Sequence, residues 1–235
     1  MSCALAAAGL ASLSPDVLSR LPEPAMTADD ADAAHSDDLA DKVAYRELAL
    51  RSFLRLRLSA LAAVAGGAVG WRLGWDPLAV AWVYLSAVGV LLAYVDAHTN
   101  LLPTRIIAPS YAVVIACIVG SAALTQDAQL LFRAAAGWAI MGGLYLLMWL
   151  VYPKGLGYGD VRLSGLLGAA LGAASWGALG AGFYAGLLLG GVGGVALLLM
   201  RRSSRHSFPF GPYLLAGAFV GLIWGEPLAH WYTTV

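Results

Sequence analysis

Residues 163–200 read LSGLLGAALGAASWGALGAGFYAGLLLGGVGGVALLLM, an unbroken run without one charged side chain. A membrane-crossing helix needs about 20 apolar residues. This run is therefore long enough for two crossings, with Ser175-Trp176-Gly177 as the turn between them. Its second half carries glycine at 182, 186, 190 and 194, a spacing of four that makes one smooth helix face for a neighbouring helix. Working outward, similar runs lie near 57–74, 77–95, 106–124, 133–152, 161–177, 179–200 and 208–225. The predicted fold is all-α: a polytopic integral membrane protein of about seven transmembrane helices.

Composition agrees. Of 235 residues, 60% are hydrophobic and 12% charged, and the mean hydropathy is +0.74. Soluble domains carry roughly 25% charged residues. Two cysteines, Cys3 and Cys117, exclude a disulfide framework and a tetracysteine zinc site. The segment MSCALAAAGLASLS is apolar but short and lacks the basic flank of a signal peptide. Residues 14–42 are rich in Asp, Ala and Pro. Residues 1–44 are accordingly expected to form a disordered acidic tail, and 45–235 the membrane-embedded domain. The stretch YRELALRSFLRLRLS then reads as an interfacial lead-in to the first span.

The basic residues orient the spans. Arg46, Arg51, Arg55, Arg57, Arg105, Lys154, Arg162, Arg201, Arg202 and Arg205 all fall on one side if the spans are seven. Only Arg72 and Arg133 fall at the opposite ends. The positive-inside rule makes the crowded side cytoplasmic, with the N-terminus inside. There are 14 basic and 14 acidic residues, so no basic nucleic-acid surface is suggested. Past residue 50 the acids are Asp76, Asp96, Asp127, Asp160 and Glu226. Lys and Arg alone set the orientation, yet it brings two of these acids, Asp96 and Asp160, to the same cytoplasmic boundary.

Several hydrolytic chemistries are absent. No H-E-x-x-H occurs, and the four histidines (35, 98, 206 and 230) are scattered, so no metal site is expected. No G-x-S-x-G elbow occurs. A Ser–Lys dyad needs a buried lysine, and Lys154 lies in a loop. A pair of carboxylates remains. Two close aspartates do not easily both ionise and so share a proton. One form can take a proton from water while the other polarises a carbonyl. The local sequence suits such a site. Asp160 follows Gly157-Tyr158-Gly159, where missing side chains leave room for close approach. Asp96 is followed by AHTNLLP, a polar stretch closed by Pro103. Either aspartate read alone is equally an interfacial structural residue.

Three stretches resemble, in order, the segments of the prepilin peptidase (type IV leader peptidase) family of membrane aspartyl proteases. YVDAHTNLLPTRI (94–106) is similar to the family's first aspartate segment. GLGYGDVRLSGLLGAALG (155–172) is similar to its G-x-G-D motif and the helix that follows. SFPFGPYLLAGA (207–218) is similar to the Pro-Phe-Gly-Pro segment that opens the last span. WRLGWDPLAV (71–80) also fits the loop before the first aspartate, and the likeness covers about residues 45–235. The resemblance implies Asp96 and Asp160 as the catalytic pair, with no cofactor. It implies a prepilin or pseudopilin substrate and a cytoplasmic-facing site in the multi-pass plasma membrane of a prokaryote. Many members also carry a tetracysteine domain and methylate the new N-terminus; with two cysteines, this chain is not expected to methylate.

Gly157 and Gly159 are expected to shape the turn before Asp160, and Pro103, Pro209, Gly211 and Pro212 to shape the neighbouring helix entries. Arg105, Lys154 and Arg162 are candidates for contact with substrate or membrane lipid. His98 is two residues from Asp96, as a tuning group or a solvated loop residue. Thr104 stands where the family commonly has an acid and is given no role. Two other classes stay open from the residues alone: an ion-coupled transporter or proton channel, and a non-catalytic assembly scaffold. The sequence does not set the oligomeric state.

Overall fold

The computed structural model describes residues 1–21, 48, 53–153, 155–199 and 209–234. Among them the chain is helical throughout, with helices α1 Ser2–Ala11, α2 Ser14–Arg20, α3 Leu54–Leu73, α4 Ala79–Thr99, α5 Thr104–Thr125, α6 Ala128–Val151, α7 Tyr158–Ala174, α8 Trp176–Leu199 and α9 Gly211–Thr234. In a hydrocarbon medium a helix is the form that satisfies its own backbone hydrogen bonds. Each apolar run therefore becomes a helix that ends at a local breaker. Gly74 (φ 58), Asn100 (φ 51) and Gln126 (φ 55) stop α3, α4 and α5 in positive-φ conformations. Asp127 caps α6 by accepting the Gln129 N–H at 2.9 Å. The Ser175 hydroxyl accepts the Ala178 N–H at 3.0 Å and opens α8. The expected turn at 175–177 is thus a single serine between α7 and α8.

This is an all-α polytopic membrane protein. Helices α3 to α9 overlap the seven expected spans. Among the described residues six helical stretches are long and apolar enough to cross a membrane: Ser2–Arg20, α4, α5, α6, Trp176–Ala196 within α8, and α9; α3 and α7, which overlap the spans expected near 57–74 and 161–177, are not among them.

Residues 2–20 depart from the expected disordered tail. Ala7, Ala11 and Leu18 are buried. The small residues Cys3 and Ala7 press on the small-residue face of α3. A Cβ added at Gly66 comes within 2.6 Å of the Ala7 Cβ, and one at Gly70 within 3.1 Å of the Cys3 Cβ. At the other end Arg55 meets Asp16 at 3.2 Å. Helices α1 and α2 therefore run antiparallel to α3, with Ser2 at the end of α3 away from Arg55. The rest of the expected tail, 22–44, lies outside the described residues.

Two helix pairs make the closest contacts. Helix α6 packs backbone to backbone on α7: a Cβ at Gly142 comes within 3.1 Å of the Gly165 Cα, and Gly137 faces Gly168 and Gly172. Helix α8 packs on α9 in the same way, with a Cβ at Gly221 only 2.5 Å from the Gly182 Cα. The glycine face foreseen on this helix meets neighbours at 182, 186 and 190, while Gly194 faces open space. Helix α7 lies at the centre, and every residue from Leu163 to Ala173 is buried. The Tyr111 hydroxyl of α5 donates to the Arg162 carbonyl of α7 at 2.8 Å, and the Tyr84 and Ser110 hydroxyls join α4 to α5 at 3.0 Å. At the opposite end of the bundle Arg72 of α3 pairs with Glu226 of α9 at 2.6 Å.

Candidate active site

Asp96 lies in the last turn of α4, where the carbonyl end of the helix disfavours a negative charge. It is nonetheless only 3% exposed. The compensation comes from another helix. The Gly211 N–H, the first of α9, donates to Asp96 Oδ2 at 2.9 Å. Pro212 follows in the first turn, where its missing N–H removes a donor that would otherwise have no partner. A side chain at 211 is not accommodated: a Cβ there falls 2.8 Å from Asp96 Oδ2 and 3.3 Å from its Cγ. The bare Gly-Pro start of α9 is thus what lets a helix N-terminus reach a buried carboxylate.

Asp160 lies in the first turn of α7 and is 6% exposed. Its Oδ2 reaches back to accept the Gly157 N–H at 3.2 Å, half of a capping box, since glycine has no side chain to return the bond. Its Oδ1 is buried without a partner among the described residues. Gly159 explains how the two aspartate segments come together: a Cβ there falls 2.7 Å from the Leu102 Cβ, so the loop after α4 lies directly on the start of α7. The carboxylates of Asp96 and Asp160 lie within electrostatic reach of each other. Each is therefore held at a helix N-terminus by one backbone N–H, on adjoining helices at one end of the bundle.

Of the other residues singled out from the sequence, Gly157, Gly159, Gly211 and Pro212 surround the pair. Pro103 caps the start of α5, and Pro209 precedes α9. The Arg162 guanidinium donates to the Thr104 hydroxyl at 2.5 Å and lies 4.6 Å above the Tyr158 ring. It is thereby turned away from Asp160 toward α5. Thr104, given no role from the sequence, fixes that arginine. Arg105 is exposed beside α2. Lys154 lies outside the described residues. His98 folds back on its own helix, with Nδ1 2.8 Å from the Tyr94 carbonyl oxygen and its ring 4.4 Å from the Tyr94 ring. Among the described residues no cluster of three or more His, Cys, Asp or Glu could hold a metal ion.

The structure also brings Tyr145 into the neighbourhood of Asp160. It is fully buried in α6, within electrostatic reach of Asp160, and its hydroxyl has no partner among the described residues. A tyrosine in the apolar run GLYLLMWL gives no signal in the sequence; only the register of α6 on α7 brings it level with the carboxylate.

Comparison with known proteins adds a family. Residues 83–224 match the model of the type IV leader peptidase family. The chain is similar to a prepilin leader peptidase/N-methyltransferase of Aeromonas hydrophila, 34% identical over 164 residues, which are 68% of this chain and 54% of the relative. A protein of the same name from Pseudomonas aeruginosa is 33% identical over 72% of this chain and 58% of its own length. One from Bacillus subtilis is 28% identical over 77% of this chain and 70% of its own. The chain spans little more than half the length of the first two. No solved structure matches it.

Proposed function

We propose, from the premise that this chain belongs to the type IV leader peptidase family, that it is a membrane aspartyl endopeptidase that removes the leader from a prepilin or pseudopilin. The observation that carries the reading is the pair of buried carboxylates, Asp96 and Asp160, each tethered to a helix N-terminus and each within reach of the other's charge. Two such groups hold one proton between them more easily than none. The ionised member takes a proton from water as the water oxygen attacks the scissile carbonyl carbon. The protonated member gives its proton to the carbonyl oxygen. The resulting diol collapses as the amide nitrogen takes the proton from the first carboxyl and a diol hydroxyl returns one to the second. The proton belongs to the pair through the cycle.

The names of the relatives support the substrate class, and the arginines at the aspartate end of the bundle support a cytoplasmic placement. Residues 2–20 then form an additional crossing, antiparallel to α3, with Ser2 toward the outer face, opposite to the cytoplasmic N-terminus expected from seven spans. Arg20 joins Arg55 on the cytoplasmic side, so the charge asymmetry is preserved.

The test is cleavage of a tagged prepilin in membranes by the wild type, Asp96→Asn and Asp160→Asn, with accumulation of each protein checked. Asparagine keeps the shape and removes the titrating group. Both variants are expected to accumulate and to leave the prepilin uncut. Cleavage by either at the wild-type rate removes that residue from the chemistry.

A further inference from the structure

The register of α6 on α7 can be read from the glycines that touch. Gly137 faces Gly168 and Gly172, and Gly142 faces Gly165. The helices are antiparallel, so a step toward the C-terminus of α6 is a step toward the N-terminus of α7. Continued by one turn, this register sets Tyr145 level with the first turn of α7, where Asp160 lies. The ring is held there by two aromatic neighbours, Phe183 of α8 at 5.9 Å and 90°, and Phe210 at 5.8 Å and 55°. Phe210 immediately precedes Gly211, whose N–H holds Asp96. Tyr145 is thus positioned by the same segment that positions the first aspartate.

Two polar atoms at this level are buried and without partners among the described residues: the Tyr145 hydroxyl and Asp160 Oδ1. A buried polar group left unpaired is costly, so two at one level of the bundle call for a polar partner. An unpaired buried oxygen also favours the neutral carboxyl over the charged one. Both carboxylates accept one main-chain N–H, and the bond to Asp96, 2.9 Å from Gly211, is shorter than the 3.2 Å bond from Gly157 to Asp160, so Asp96 has the stronger support for a charge. The resting proton then belongs on Asp160 Oδ1. A tyrosine O–H and a carboxylic O–H are then two unpartnered donors at one level of the bundle, and a group that accepts from both is a carbonyl oxygen.

We infer that the Tyr145 hydroxyl is a further catalytic group, which with protonated Asp160 binds the carbonyl oxygen of the bond being cut. This rests on the peptidase reading above. As water attacks and its proton passes to Asp96, the carbonyl π electrons move onto that oxygen. The oxygen takes the Asp160 proton, while the Tyr145 O–H keeps its own and donates a hydrogen bond that strengthens as charge develops.

The experiment compares purified wild type, Tyr145→Phe and Asp160→Asn on a prepilin substrate, with kcat, KM and thermal unfolding measured for each. Phenylalanine keeps the ring between Phe183 and Phe210 and removes only the hydroxyl. Loss of one such donor typically lowers kcat by about 10²- to 10³-fold. The expected result is a loss of that size in kcat, KM within about twofold of wild type, and an unfolding temperature equal to or above wild type, since an unpaired buried hydroxyl has been removed. A kcat within threefold of wild type overturns the inference. So does a loss of activity that tracks a loss of thermal stability, which assigns Tyr145 a packing role. If the wild type leaves the prepilin uncut, the peptidase reading itself fails; if Asp160→Asn cleaves normally, Asp160 leaves the chemistry and the inference falls with it; if Asp160→Asn is inactive and Tyr145→Phe is not, only the tyrosine's role falls.

Discussion

Replacing Gly211 by alanine adds one methyl group at a place where its neighbours are known. The new carbon lies 2.8 Å from Asp96 Oδ2 and 3.3 Å from Cγ. An unstrained contact between nonbonded heavy atoms begins near 3.5 Å, so the overlap is about 0.7 Å. The carboxylate is buried and has little room, so relief means moving the carboxylate or the start of α9 by roughly that amount. Overpacking of this kind costs about 1–3 kcal/mol, and the higher helix propensity of alanine returns up to about 1 kcal/mol. The protein should therefore still fold. Activity is more sensitive, because a misplacement of about 1 Å at a reacting group can lower a rate about 100-fold. Gly211→Ala is expected to slow prepilin processing roughly 10- to 100-fold while accumulating near wild-type level. The assay is a time course of leader removal in membranes, with Gly194→Ala as control, since nothing lies within 4 Å of a Cβ there. Processing by Gly211→Ala at the wild-type rate would refute the claim that the start of α9 positions Asp96.

Three more outcomes follow from the packing. Gly159→Ala pushes on the Leu102 Cβ and should slow processing about tenfold, and the Leu102→Gly change should restore part of it; a double variant no better than Gly159→Ala alone shows that the contact is not the cause. Gly168→Ala drives a Cβ against the Gly137 carbonyl and within 2.8 Å of the Met141 Cβ. It should destabilise the detergent-solubilised protein by about 1–3 kcal/mol, and an unchanged unfolding temperature argues against the tight α6–α7 seam. In a Cys3→Ala, Cys117→Ala background, Ser2→Cys should react with an impermeant maleimide from the outer face of intact cells; labelling only after the membrane is opened contradicts the crossing by residues 2–20.

The helices were legible because each is a long apolar run, and the one ambiguous stretch, 163–200, divides at Ser175 as its composition suggests. Asp96 and Asp160 stand out in the sequence because carboxylates are scarce past residue 50, and the fold buries both at one end of the bundle. What escaped reading depends on partners distant in sequence. Residues 2–20 are a borderline apolar stretch broken by Ser12, Ser14 and Pro15, and they gain a place only because Gly66 and Gly70 give α3 a face that Cys3 and Ala7 can fit. Tyr145 is one aromatic residue among many until the α6–α7 register sets it beside Asp160. His98, two residues from Asp96, reads in the sequence as a tuning group or a solvated loop residue, but in the helix its ring turns back to the Tyr94 carbonyl.

Each aspartate is held by a main-chain N–H, from Gly211 and from Gly157, and every residue except proline supplies such a donor. The support of the site is thus invisible to a scan that trims side chains one at a time. An alanine survey would register the two aspartates and pass over what holds them, unless it also enlarged the glycines. In a population of natural variants Gly211 would leave its mark as a position where nothing larger than hydrogen is tolerated, since a Cβ there meets the Asp96 carboxylate.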